Sequence, residues 1–143
     1  MRTLSYVNFT HEPSHECENL VLMCMDFRFH EKLAQVIAHS GYRQFDLVAL
    51  PGGSKSVTDE ISREAVLAAI RVGVSAHNVQ RVIIVDHVDC RAYGGSEAFA
   101  GPEEEELRHT DALLEASRII RGKFPELEVV PVYAGWDRVK TVD

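Results

Sequence analysis

The chain has 143 residues, 45% of them hydrophobic and 26% charged, with a formal net charge of −7 at pH 7. That length and composition belong to a single soluble globular domain with a sizeable core. The acidic balance, with no basic face, excludes nucleic acid as a partner, and the apolar runs are far too short to span a bilayer. The first residues, Met1 to Tyr6, lack the apolar core of a signal peptide, and three cysteines cannot all pair with one another. The expectation is a cytoplasmic protein with reduced thiols, in which Cys and His serve metals or catalysis rather than disulfides.

In chain order, residues 1–18 are polar and irregular and read as an N-terminal arm, with residues 19–143 as the folded domain. His15 and Cys17 in the arm are minor metal-ligand candidates. Leu20 to Met25 reads as a first strand running into Asp26-Phe27-Arg28. A helix is expected over Phe29–His39, with Leu33, Val36 and Ile37 on one face and Gly41 at its end. Phe45–Leu50 is a second strand. The loop Pro51-Gly52-Gly53-Ser54-Lys55-Ser56 leads to a helix with Val57, Ile61, Ala65 and Val72 at helical spacing, fading near Gly73 to Asn78. Arg81 to Val85 is a β-branched run that ends abruptly in Asp86-His87-Val88-Asp89-Cys90 and reads as a buried third strand. Pro102 opens a long helix with acids in its first turn and cations in its last, so the run Glu103–Glu106 reads as a solvated helix start. Val129–Tyr133 is a fourth strand, and Pro131 within it argues for an edge position. The sequence contains no internal repeats, low-complexity tracts or linkers.

Strands alternating with helices imply an α/β fold: three layers, α-β-α, around a mostly parallel four-stranded sheet of order 2-1-3-4. In that order strands 1 and 3 are neighbours and their following helices leave on opposite faces, which opens a crevice at the C-terminal strand ends. Cys24 ends strand 1, and His87 and Cys90 end strand 3. Two thiolates and one imidazole form a soft tetrahedral set suited to zinc, with one position open.

Cys24-Met25-Asp26-Phe27-Arg28 has the form Cys-x-Asp-x-Arg, and His87-Val88-Asp89-Cys90 the form His-x-x-Cys. The pair, in this order, resembles the β-class carbonic anhydrases, and the likeness extends to the C-terminal Tyr133-Ala134-Gly135-Trp136-Asp137. The chain looks like a short, divergent branch of that family. Where the family typically reads Arg-x-Ala-Gly-Asn after strand 2, this chain has Leu50-Pro51-Gly52-Gly53-Ser54, and Arg91-Ala92 follows the last ligand in place of Gly-Ala. The resemblance implies a zinc ion (Zn2+) held by Cys24, His87 and Cys90, an Asp26–Arg28 dyad beside it, and a homodimer or higher even oligomer. It also implies carbon dioxide and bicarbonate as substrate and product.

Zinc-bound water deprotonates near neutral pH. Arg28 would offset the charge of Asp26 and fix its orientation, so that the carboxylate accepts the proton of zinc-bound hydroxide and aims its lone pair at carbon dioxide. Two other readings remain: a zinc hydrolase of carbon disulfide or carbonyl sulfide, and a non-catalytic zinc- or anion-binding module. Gly52 to Ser56 could cradle an anion, Arg91 and Tyr93 could line the pocket mouth, and His30 could shuttle protons. His39, His77 and His109 need no special role.

Overall fold

In the computed structural model, which describes residue 8 and residues 10–143, five strands and four α-helices follow one another. They are β1 (Asn19–Met23), α1 (His30–His39), β2 (Asp46–Ala49), α2 (Lys55–Thr58), α3 (Glu60–His77), β3 (Arg81–His87), α4 (Pro102–Lys123), β4 (Glu128–Ala134) and β5 (Val139–Thr141). Residues 1–7 and 9 of the expected arm lie outside the described residues. No helix among the described residues is long and apolar enough to cross a membrane.

The sheet is mostly parallel, as expected, but has five strands in the order β2-β1-β3-β4-β5 rather than four. The added β5 is antiparallel to β4 and pairs only Val139 to Thr141. Three residues with a lysine at the centre leave no readable alternation, which is why the sequence conceals this strand. Its presence also corrects the placement of Pro131, which lies on an interior strand. The Pro131 carbonyl accepts from Val142 N–H at 2.9 Å. The return bond is the one proline cannot donate, and the β5 ladder stops one residue earlier, at Val132↔Thr141.

Residue alternation divides the core by sheet face. Leu20, Leu22, Val82 and Ile84 pack against α2, α3 and α4 through Val57, Leu67, Ile70 and Leu113. Val21, Met23, Ile83 and Val85 face α1 through Phe29, Leu33 and Ile37. The helices after β1 and β3 therefore lie on opposite faces, as the fold class requires. The single helix expected after β2 is broken at Asp59, whose extended backbone and side chain cap α3 by accepting from Ile61 N–H at 2.9 Å. Arg63 donates at 2.8 Å to both the Val57 and the Thr58 carbonyls, which satisfies the end of α2. At the far end Asn78 takes the left-handed conformation (φ 59°), so α3 runs without fading to His77.

The loop between β2 and α2 crosses directly over the end of β3. Gly53 has φ +55°, and a Cβ there would lie 2.4 Å from the Val85 carbonyl oxygen and 2.8 Å from Asp86 Oδ1. Gly41 also has positive φ, but a Cβ there would meet nothing within 4 Å. Urea denaturation should therefore separate the two. Gly41→Ala costs only left-handed backbone strain, about 1–2 kcal/mol. Gly53→Ala adds a backbone collision and should cost roughly 3 kcal/mol or more. Equal losses would show that the loop can lift off the strand end.

Candidate metal centre

Parallel pairing of Leu22 with Ile84 and Met23 with Val85 brings the ends of β1 and β3 together. Cys24 follows β1 directly, His87 closes β3, and Cys90 lies three residues on. The turn between them depends on Asp89, which holds the left-handed conformation (φ 57°) and folds the chain back. All three side chains are buried. The Cys24 and Cys90 Sγ atoms are 3.9 Å apart, and the three donor atoms lie within 4.8 Å of one another. Two thiolates at about 2.3 Å on one tetrahedral zinc would stand about 3.8 Å apart, so the spacing fits that ion.

The His87 ring supplies a second test of fit. Its Nδ1 is 2.7 Å from the Val88 carbonyl oxygen, which can only accept, so Nδ1 carries the proton. Nε2 is left with a free lone pair and no partner, one of two such buried side-chain atoms among the described residues. Phe29 stacks on the ring at 4.2 Å and fixes its plane. A buried, unpartnered imidazole nitrogen beside two thiols is what a soft metal site presents before loading.

Arg28 ties the two motifs together. It meets the Asp26 carboxylate through Nε at 3.0 and 3.1 Å and through Nη2 at 2.6 Å. Nη1 donates to Asp89 Oδ2, and Nη2 also donates to the Asp89 carbonyl, both at 3.1 Å. Asp89 is itself held: its N–H donates to Glu105 at 2.6 Å, and its side chain accepts from Ser96 N–H at 2.9 Å. Asp26 Oδ2 then lies 3.8 Å from His87 Nε2. An opening of about 690 Å³, bordered by Cys24, Met25, Asp26, Pro51 and Arg91, leads to this corner.

The electrostatics follow from these bonds. The Arg28 guanidinium lowers the Asp26 pKa to about 2, and Asp26 and Asp89 together raise that of Arg28. The Cys90 thiol hydrogen-bonds to Cys24 and favours its thiolate, and that charge in turn raises Cys90, so one proton belongs to the pair. Burial works against a charged His87, but the Cys24 sulfur, the Val88 carbonyl and the Asp26 carboxylate outweigh it and raise its pKa.

Residues 14–142 match the model of the family described as "Putative carbonic anhydrase". The chain belongs to this family. A Rickettsia bellii protein described as uncharacterized is 31% identical over 131 residues, covering 87% of this chain and 80% of that one. The carbonic anhydrase of Streptococcus mutans superposes with a TM-score of 0.66 at 17% identity, covering 95% of this chain and 88% of its own. A tetrameric β-carbonic anhydrase of Sordaria macrospora superposes at 0.55 with 18% identity, covering 87% and 80%. At these identities the two solved structures establish a shared fold.

Several groups in this family member sit differently from their sequence readings. The Gly52–Ser56 loop offers no anion cradle, because its N–H groups are spent on Cys24 Sγ, Leu50 O, Asp86 Oδ1, Gly52 O and Gly53 O. Arg91 does border the opening, but the Tyr93 hydroxyl turns inward to Ser54 Oγ at 2.7 Å, and burial raises its pKa. Glu105 is not solvated: it is 2% exposed and organises the turn after β3. His109 is fully buried and bonded to Asp86, and His77 pairs with Asp46 at 2.8 Å. Asp86, Asp89 and Glu105 escaped sequence reasoning. The one available signal was Asp86, an acid inside a β-branched run.

The Asp26 shift can be measured on metal-free protein. Its folded pKa lies below the ordinary ~3.9, so the stability that the pair contributes is complete above about pH 4 and is lost as pH falls through about 2. Carboxyl-carbon NMR titration should find Asp26 near that low value. In Arg28→Ala the midpoint should move up toward ~3.9. An unchanged midpoint would mean that Arg28 does not hold the carboxylate.

Proposed function

We propose that this protein is a zinc-dependent carbonic anhydrase that reversibly hydrates carbon dioxide to bicarbonate. Cys24, His87 and Cys90 are the metal ligands in this reading, and Asp26 and Arg28 act beside the open position. One observation carries it: two buried sulfurs and an unpartnered imidazole nitrogen converge beside a carboxylate that an arginine holds. A zinc ion in such a set lowers the pKa of a bound water toward neutrality and supplies the nucleophile.

The chain's own residues do the rest. The bond from Nδ1 to the Val88 carbonyl keeps His87 in the tautomer whose Nε2 lone pair faces the sulfurs. Arg28 occupies both oxygens of Asp26, keeps them ionised, and restrains the carboxylate from becoming a fourth ligand. Asp26 Oδ2 lies on the His87 side, where it can accept a hydrogen bond from the attacking oxygen and orient it. The opening beside it is lined largely by apolar atoms of Met25, Pro51 and Ala92, which suits a small uncharged substrate.

Stopped-flow hydration of carbon dioxide, on protein of measured zinc content between about pH 6 and 9, tests the activity. The rate should rise with pH. Cys24→Ser and Cys90→Ser should lose most of the metal, while Cys17→Ser keeps it. Asp26→Asn should keep the metal and lose ~10²–10⁴-fold in rate. Zinc-replete wild type that is inactive on carbon dioxide but hydrolyses carbonyl sulfide or carbon disulfide would transfer the reaction to those substrates. Zinc-replete protein inactive on all three would leave a binding module.

The protein acts in the cytoplasm, where its thiols stay reduced, and assembles as a homodimer or a higher even oligomer. Met25 and Phe27, 57% and 84% exposed, place apolar surface at the rim of the opening, and a second copy covering them would shield it. Light scattering at micromolar concentration should give an even multiple of the 16.0 kDa chain. A purely monomeric protein would contradict this assembly.

A further inference from the structure

One buried polar cluster takes no part in the reaction outlined above. Asp86, 1% exposed, stands immediately before His87 on β3. Its Oδ1 accepts Ser54 N–H at 2.8 Å. Its Oδ2 accepts the Ser54 hydroxyl and His109 Nδ1, each at 2.7 Å. Ser54 and His109 are fully buried. Since the Ser54 proton is given to Asp86, the Tyr93 hydroxyl donates to Ser54 Oγ at 2.7 Å and completes the cluster.

A buried carboxylate is costly unless donors meet its lone pairs. Here three donors do so, and two of them belong to one residue of the loop that crosses the end of β3. That crossing is tight enough to exclude a Cβ at Gly53. It leaves the preceding residue, Gly52 (φ +85°), aiming its N–H at Cys24 Sγ at 3.4 Å. Among the described bonds to Cys24 this is the one from a backbone donor outside the two metal motifs.

We propose that Asp86, with Ser54 and His109, is a positioning group for the metal centre. It clamps the Gly52–Ser54 loop so that the Gly52 N–H stays on the Cys24 sulfur and limits how strongly that thiolate donates to a bound metal. The inference rests on the reading of Cys24, His87 and Cys90 as ligands. A hydrogen bond to a ligating sulfur draws charge away from the metal, and such outer partners tune the centre they support. Two thiolates weaken the ion's effect on bound water, and the Gly52 bond restores part of it. The two aspartates that flank His87 divide the work: Asp89 braces Arg28 from the turn, whereas Asp86 braces the loop from the strand.

The test uses full-length, ¹⁵N-labelled protein loaded with cadmium-113, a spin-active substitute for zinc in thiolate sites. In wild type the Gly52 amide proton should couple to the metal through Cys24 Sγ and resonate downfield. Asp86→Asn should abolish the coupling, and Ser54→Ala should reduce it, at near-stoichiometric metal loading. Zinc affinity of Asp86→Asn, measured by chelator competition, should fall ~10–100-fold, because the lost placement of Cys24 outweighs the stronger donation of a sulfur freed of its hydrogen bond. His109→Asn, whose amide nitrogen replaces Nδ1, should retain the coupling that His109→Leu weakens. If Asp86→Asn does not fold, Ser54→Ala decides, because it keeps the backbone donor and deletes one hydroxyl. Coupling unchanged in Ser54→Ala, or full metal uptake by wild type with no coupling to Gly52, overturns the inference alone. Wild type that takes up neither cadmium nor zinc overturns the ligand assignment and this inference with it.

Discussion

The parallel register of β1 on β3 determines where every chemical group of this protein ends up. Met23 opposite Val85 puts Cys24 beside the end of β3. Because β1 and β3 send their following chain to opposite faces, the crevice between those departures is free of helix. A shift of one residue would turn the side chains of β1 to the other face and carry Cys24 away from its partners. The register is secured by burial: Leu20, Val21, Leu22, Val82 and Ile84 are all 1% exposed or less.

On that frame, carboxylates fix geometry. The chain carries a formal net charge of −7, yet four of its acids are turned inward or toward the site and met by N–H and O–H donors. Glu105 holds Asp89, Asp89 holds Arg28, and Arg28 holds Asp26. Asp86 holds the glycine loop against the end of β3. Each is an acceptor with several lone pairs, placed where backbone N–H groups of a turn would otherwise lack partners. Such bonds hold a loop in one geometry, whereas apolar contacts tolerate sliding. That suits a site built on strand ends and turns rather than within the sheet.

The sequence was most readable where a periodic signal or a fixed spacing existed. The β-branched run before His87, the helix opened by Pro102 and the two spaced motifs led directly to the observed strand order and to the Cys24, His87 and Cys90 cluster. Where local signals conflicted with tertiary placement, the reading failed. Pro131 argued for an edge because β5 was too short to see. Asp59 looked like a position within one helix and is a cap between two. Glu105 belonged to an acidic run and His109 to a helix, and neither pattern reveals that one packs under the Asp89 turn and the other against Asp86. Burial of a polar side chain depends on what the rest of the chain lays over it, and no local spacing encodes that.

The proposed chemistry requires a metal centre of two sulfurs and one imidazole with an open fourth position. X-ray absorption at the zinc edge, on protein at neutral pH, tests it most directly. The spectrum should show two sulfurs at about 2.3 Å and two lighter atoms at about 2.0 Å, one of them an imidazole nitrogen with its outer-ring scattering. A shell of oxygens alone, four sulfurs, or a single sulfur would contradict it.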